Sequence, residues 1–201
     1  VIEIEAHYED LCTHPSDIHE HLPLLRELAR RSEHVTEIGM RSGISTTALL
    51  AGQPKTLVSW DLNPRAIVSQ RTLDLLTLAG ETRFQPRVGD SLEIEIEATD
   101  FLFIDSLHTG QQLKAELARH GNKVRKWIAF HDTETFGLRG EDGIEPGLRA
   151  AIKGFQQDRF PLWSVKHDWQ NNNGLVVLEH VRADPARPAG AEESPQWPRF
   201  K

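Results

Sequence analysis

The chain has 201 residues, 38% of them hydrophobic, with 30 acidic against 23 basic side chains and a formal charge of −7. That length suits one α/β domain with a two-sided sheet and is too short for two domains that each carry a proper core. The acidic balance excludes a basic field that would draw in nucleic acid unaided, and no apolar run has the length of a membrane-spanning helix. Cys12 is the single cysteine, so no internal disulfide forms, and no charged n-region is followed by an apolar h-region. The expectations are a cytoplasmic protein with a small-molecule partner, no nucleic acid and no membrane. The chain opens on Val1, which is compatible with a piece of a longer protein.

In chain order, residues 1–15 begin with the alternating "VIEIE" and read as an edge strand or as a segment lying over the domain, a possible lid. "SDIHEHLPLLRELARRS", 16–32, reads as a helix with Ser16 as cap and Ile18, Leu22, Leu25 and Leu28 at helical spacing; Pro23 starts or kinks its regular part. Strands and helices then alternate: "HVTEIG" strand, "STTALLA" helix, "TLVSWD" strand, "PRAIVSQRTLDLLTLAG" helix, "RFQPRVGD" strand, "DFLFID" strand, "GQQLKAELARH" helix and "KWIAFHD" strand. Short apolar strands between helices predict a parallel sheet covered on both faces. After a helix around "GLRAAIKGFQQD", the strands "PLWSVKH" and "GLVVLEH" are joined through "NNNG", a hairpin signal. Residues 182–201, rich in Pro, Ala and charge, read as a disordered tail or linker.

The first strand runs into "EIGMRSGIST", placing Glu37, Gly39 and Gly43 ahead of a helix capped by Ser45 or Thr46. Glycines there let the backbone turn tightly and approach a ligand at the carboxyl end of the strand. Asp61 ends the next strand, where an acid accepts hydrogen bonds from ribose hydroxyls. The pattern is not G-x-G-x-x-G, and Glu37 would repel a phosphate. A cationic, phosphate-free nucleoside such as S-adenosylmethionine suits this turn better than a dinucleotide. In "VGDS", Asp90 is placed to accept from an adenine amino group.

Two apolar strands then end in groups that are expensive to bury. "FLFID" ends in Asp105, with His108 three residues on, and "WIAF" ends in His131 and Asp132. Adjacent parallel strands deliver their carboxyl ends to one edge, so Asp105, His131 and Asp132 offer ligands for a divalent ion such as Mg²⁺ or Mn²⁺. His108 is placed as a general base for a substrate hydroxyl. The other histidines, His14, His19 and His21 among them, read as surface. Phe136, Trp163 and Trp169 are candidates for the acceptor pocket, and "TETFGLRGEDG" is a candidate lid or substrate loop.

Four ordered stretches, "VTEIGMRSGISTTALL", "LVSWDLNP", "DFLFIDSLHTGQQLKAEL" and "WIAFHDTETFG", together resemble the class I S-adenosylmethionine-dependent methyltransferases, over roughly residues 16–181. The resemblance is to the branch with sugar and macrolide O-methyltransferases and cephalosporin-hydroxylase-like proteins. It implies a Rossmann-like α/β fold: a seven-stranded, mostly parallel sheet with helices on both faces and a C-terminal antiparallel hairpin. It implies the methionine moiety at Glu37, Gly39, Gly43 and Ser45, the ribose on Asp61, and adenine near Asp90 and Ser91. In metal-dependent relatives, acids stand at the positions matching Asp105, His131 and Asp132, with a base matching His108; this sequence departs by carrying a histidine at 131.

The leading expectation is O-methylation of a hydroxyl on a sugar or related small molecule, with Asp105 and His108 as catalytic residues and Mg²⁺ or Mn²⁺ in support. Two rivals are an iron oxygenase using His108, His131 and a carboxylate, and a non-catalytic nucleoside-binding module of a larger glycan-modifying protein. A homo-oligomer is compatible with all three.

Overall fold

A computed structural model describes residues 2–159 and 161–181; the expected tail, 182–201, lies outside the described residues. Seven strands form one sheet in the order β3-β2-β1-β4-β5-β7-β6. They are β1 (His34–Ile38), β2 (Thr56–Asp61), β3 (Arg83–Val88), β4 (Thr99–Ile104), β5 (Val124–His131), β6 (Trp163–Trp169) and β7 (Leu175–His180). Pairings from β3 through β5 are parallel, and β7 is antiparallel to both β5 and β6. The fold is therefore the expected mixed α/β sheet with a C-terminal hairpin.

Period-two alternation in the central strands fills both faces. Phe101, Phe103, Trp127, Ala129, Leu175 and Val177 point into one apolar cluster, which α2 (Leu22–Arg30) and α3 (Ile44–Ala51) complete. Leu102, Ile104, Ile128, Phe130, Val176 and Leu178 point into the other, under α6 (Gly110–His120) and α7 (Leu148–Asp158). β3, at the open edge, carries Pro86, which an edge strand tolerates because no neighbour needs its missing N–H.

Several elements differ from the sequence-based expectation. Residues Ile2–Thr13 form a helix, α1, and not a strand. The "VIEIE" alternation is overridden by a longer helical period: Ile4 and Tyr8 are buried, and Leu11 and Cys12 pack against the same cluster. Arg26 joins Glu5 (2.7 Å) and lies over the Tyr8 ring, pinning α1 to α2. Ser16 does not cap a helix; a 3₁₀ turn at His19–His21 precedes α2, whose first turn holds Pro23. The single helix expected after β2 is two, α4 (Pro64–Ile67) and α5 (Gln70–Leu78), because the Ser69 hydroxyl accepts from Thr72 N–H and starts a new one. The hairpin loop spans 170–174, with Asn172, Asn173 and Gly174 all at positive φ. Its Asn172 side chain accepts from Glu20 N–H and donates to the Ser16 carbonyl, tying the hairpin to the segment before α2.

Phe103 is fully buried in the central strand β4. Phe103→Ala is expected to lower unfolding free energy by roughly 3–5 kcal/mol, read from urea melts; a loss below about 1 kcal/mol would mean the core tolerates the cavity.

Candidate active site

The site begins with an approach that only glycine permits. Gly39 follows β1 at φ +94°, and a Cβ on it would stand 2.0 Å from the Asp105 carbonyl oxygen. Asp105 N–H donates to Ile38 O and Gly39 N–H to Trp60 O, both at 2.8 Å, so the ends of β1, β2 and β4 are locked together. Gly43, at φ +78°, is the N-cap of α3. This corrects the expected cap: Ser45 and Thr46 sit inside the first turn, and their hydroxyls donate to Glu37 at 2.6 and 2.7 Å. Ser59 donates to the same carboxylate at 2.5 Å. Glu37 is fully buried and braces the turn from behind, with no part in lining the cavity. Burial raises its pKa to about 7 against the opposing pull of the Ser45, Ser59 and Thr46 hydroxyls.

A cavity of about 450 Å³ opens at the carboxyl ends of the parallel strands, bordered by Gly39, Trp60, Asp61, Ser91, Asp105 and His108 among others. Asp61 accepts Arg41 N–H at 2.6 Å and Asn63 N–H at 2.7 Å, one on each oxygen. Each oxygen keeps a further lone pair for a ligand. Asp90 does not border the cavity; its carboxylate accepts Leu92 N–H (2.8 Å) and shapes the turn that presents Ser91.

Beside this cavity the strand ends of β4 and β5 bring together Asp105, His131 and Asp132, each offering one ligand atom within 4.8 Å of the others. His131 Nε2 lies 3.1 Å from the Asp17 carbonyl, which can only accept, so Nε2 carries the hydrogen. Nδ1 faces Asp105 Oδ1 at 3.4 Å and Asp132 Oδ2 at 3.5 Å, outside hydrogen-bonding geometry for either. Asp132 Oδ1 is buried without a hydrogen-bond partner. A ring fixed by a carbonyl on one nitrogen, with the other aimed between two carboxylates, is a donor set that fits a divalent cation.

His108 Nε2 stands 3.1 Å from both Asp105 Oδ1 and Asp132 Oδ2, while Nδ1 meets Glu141 Oε2 at 2.9 Å and Phe136 stacks on the ring at 5.1 Å. Burial disfavours charge on both imidazoles, but the carboxylates outweigh it: His131 is raised to about 10 and His108 is raised as well. Asp105 pays the same burial cost, yet His108 and His131 hold it well below the usual carboxylate range.

His21, expected at the surface, is completely buried, its ring 5.5 Å from that of His131; burial lowers its pKa to about 4. Of the aromatic candidates, Phe136 reaches the site, whereas Trp163 is core, packed on Phe155. The sequence reading missed Glu141, Asp17, Ser59, Ser106 and Glu116. Two of these carried a signal: Ser59 interrupts an apolar strand, and Glu116 sits on the buried stripe Leu113, Glu116, Leu117, His120 of α6.

No family model matches the chain, and a search of curated proteins finds no match. Solved structures do resemble it. An O-methyltransferase from Bacillus cereus in complex with SAH superposes with a TM-score of 0.63 at 16% identity, covering 88% of this chain and 91% of that one. The O-methyltransferase TomG from Streptomyces achromogenes, in complex with SAM, gives 0.62 at 15% identity over 84% and 82% of the two chains. The SAH-bound methyltransferase PaMTH1 from Podospora anserina gives 0.61 at 16% identity over 89% and 87%. The chain has the methyltransferase fold. Within that fold the cavity occupies the carboxyl ends of the parallel strands, where open α/β sheets take their ligands.

Glu37 supplies a pH test of this arrangement. With a folded pKa near 7 and an ordinary value of 4.5, the unfolded chain releases this proton first as pH rises. The stability from the protonated carboxyl is complete below 4.5 and is lost through about 7. Relative to Glu37→Gln, the wild type is expected to lose stability over that window in urea melts; parallel pH profiles would contradict the burial of this group.

Proposed function

We propose that the protein is an S-adenosylmethionine-dependent methyltransferase acting on a hydroxyl of a small molecule, a sugar or related compound, with Mg²⁺ or Mn²⁺ held by Asp105, His131 and Asp132. The observation that carries the reading is the convergence, at one sheet edge, of a nucleoside-sized cavity presenting Asp61 with a cluster able to bind and deprotonate a hydroxyl. The fold shared with SAM- and SAH-bound methyltransferases supports the choice of donor.

Asp61 binds the ribose hydroxyls with the lone pairs its two backbone donors leave free. Gly39 lets Asp105 approach the β1 turn closely, which sets Asp61 and Asp105 at one cavity. S-adenosylmethionine supplies a methyl on a sulfonium: the O–C bond forms as the S–C bond breaks, with the electron pair leaving on a neutral thioether. A cation at Asp105, His131 and Asp132 supplies Lewis acidity that lowers the pKa of the acceptor hydroxyl. His108, oriented by Glu141 on Nδ1 and by the Phe136 ring, would take the acceptor proton on the Nε2 that faces Asp105 and Asp132, once those carboxylates turn to the cation. The loop carrying Phe136 and Glu141 is anchored over His108 by Glu141 N–H on the His108 carbonyl (3.0 Å), which places it to exclude water from the acceptor.

The test is methyl transfer from S-adenosylmethionine to a panel of hydroxylated sugars and glycosides, before and after chelation, with His108→Ala and Asp105→Asn. Chelation is expected to abolish transfer and Mn²⁺ or Mg²⁺ to restore it. His108→Ala is expected to lower kcat by roughly a hundred- to ten-thousand-fold while donor binding is kept. Transfer at the wild-type rate by His108→Ala, or indifference to chelation, would remove the base or the cation from the mechanism.

A further inference from the structure

Under the cavity lies a second buried polar cluster that the proposed reaction does not use. Glu116, on α6, is completely buried among the apolar residues of its stripe. Its Oε1 accepts from three donors: Ser91 Oγ at 2.6 Å, Ser106 Oγ at 2.6 Å and Gln112 Nε2 at 3.0 Å. Its Oε2 is buried with no hydrogen-bond partner, and burial raises the Glu116 pKa against the pull of Ser106, Ser91 and Gln112; with or without a proton on Oε2, Oε1 accepts from the two hydroxyls. Gln112 Nε2 also donates to Ser91 Oγ at 2.9 Å. The Ser91 carbonyl is held at 2.7 Å by His120 Nε2. Burial lowers the His120 pKa, so the neutral ring donates. Helix packing requires only an apolar side chain at position 116, as at Leu113 and Leu117 on the same stripe. A buried carboxylate there is costly unless its partners serve a purpose.

The consequence lies in where the hydroxyl hydrogens go. Ser91 and Ser106 both line the cavity, with Asp61 and Gly89. Each hydroxyl has one hydrogen, and Glu116 takes both. What the two oxygens have left to offer a ligand is lone pairs, with no donor. A purine with a 6-amino group complements such a surface with its N–H donors, whereas a 6-oxo purine sets a carbonyl lone pair against those oxygens. Resting on the donor reading above, we infer that Glu116 is a positioning residue that makes Ser91 and Ser106 acceptor-only and so selects a 6-amino purine nucleoside over its 6-oxo counterpart.

The probes are S-adenosylhomocysteine and S-inosylhomocysteine, which differ only at purine position 6, titrated calorimetrically into wild type, Glu116→Gln and Ser106→Ala. The wild type is expected to prefer the adenosyl ligand. In Glu116→Gln the amide can donate to the serines and release their hydrogens towards the cavity, so the preference is expected to shrink by about tenfold or more. Ser106→Ala removes one acceptor without touching the helix core and is expected to narrow the preference too; it decides the matter if Glu116→Gln fails to fold. Variants that weaken both ligands equally, or leave the ratio at its wild-type value, would overturn the inference while the donor reading stands. Wild-type protein that binds neither ligand would overturn both.

Discussion

The site depends on one close approach: Gly39 against the backbone of Asp105. With no side chain at 39, the loop after β1 passes so near β4 that a Cβ would collide with the Asp105 carbonyl at 2.0 Å. That contact sets Asp61, on the far side of β1, and Asp105, on the near side, at the rim of one cavity. A larger residue would have to push the two strand ends apart, separating Asp61 from the cluster of Asp105, His131 and Asp132. Glu37 holds the same turn from behind, collecting hydroxyls from α3 and β2.

The costly groups at the strand ends share a logic. Each is partly satisfied by the protein, and what is left over is directed at one place. Asp61 uses one lone pair per oxygen on backbone N–H groups. His131 uses Nε2 on a carbonyl and turns Nδ1 between Asp105 and Asp132. His108 uses Nδ1 on Glu141 and turns Nε2 to Asp105 and Asp132. Ser91 and Ser106 give their hydrogens to Glu116 and keep lone pairs. Partners within the protein thus define the donor and acceptor pattern of the site, which is the form preorganisation takes in a rigid scaffold.

Much of this was legible in the chain because strand ends are local events. β2 and α6 lie where "TLVSWD" and "GQQLKAELARH" place them, and the meeting of Asp105 with Asp132 follows from parallel neighbours. The misreadings came from competition between local signals. Five residues of alternation in "VIEIE" gave way to the helical spacing of Ile4, Tyr8 and Leu11, and Ser45 and Thr46 lost the cap to a left-handed Gly43. What no local pattern could supply were pairings across the chain. Glu141 reaches His108 from 33 residues away and the Asp17 carbonyl reaches His131 from 114. His21 looked like a surface residue in a polar run, yet its burial is decided by Trp169 on the hairpin and by His131.

The central claim is that this cavity holds a methyl donor on Asp61. Its most direct test is a calorimetric titration of the protein with S-adenosylmethionine, with Asp61→Ala as control, in buffer with and without Mn²⁺. Saturable binding at one site per chain, weakened about tenfold or more by the substitution, is the result this structure predicts. No heat of binding under any metal condition, or equal affinity in Asp61→Ala, would contradict it.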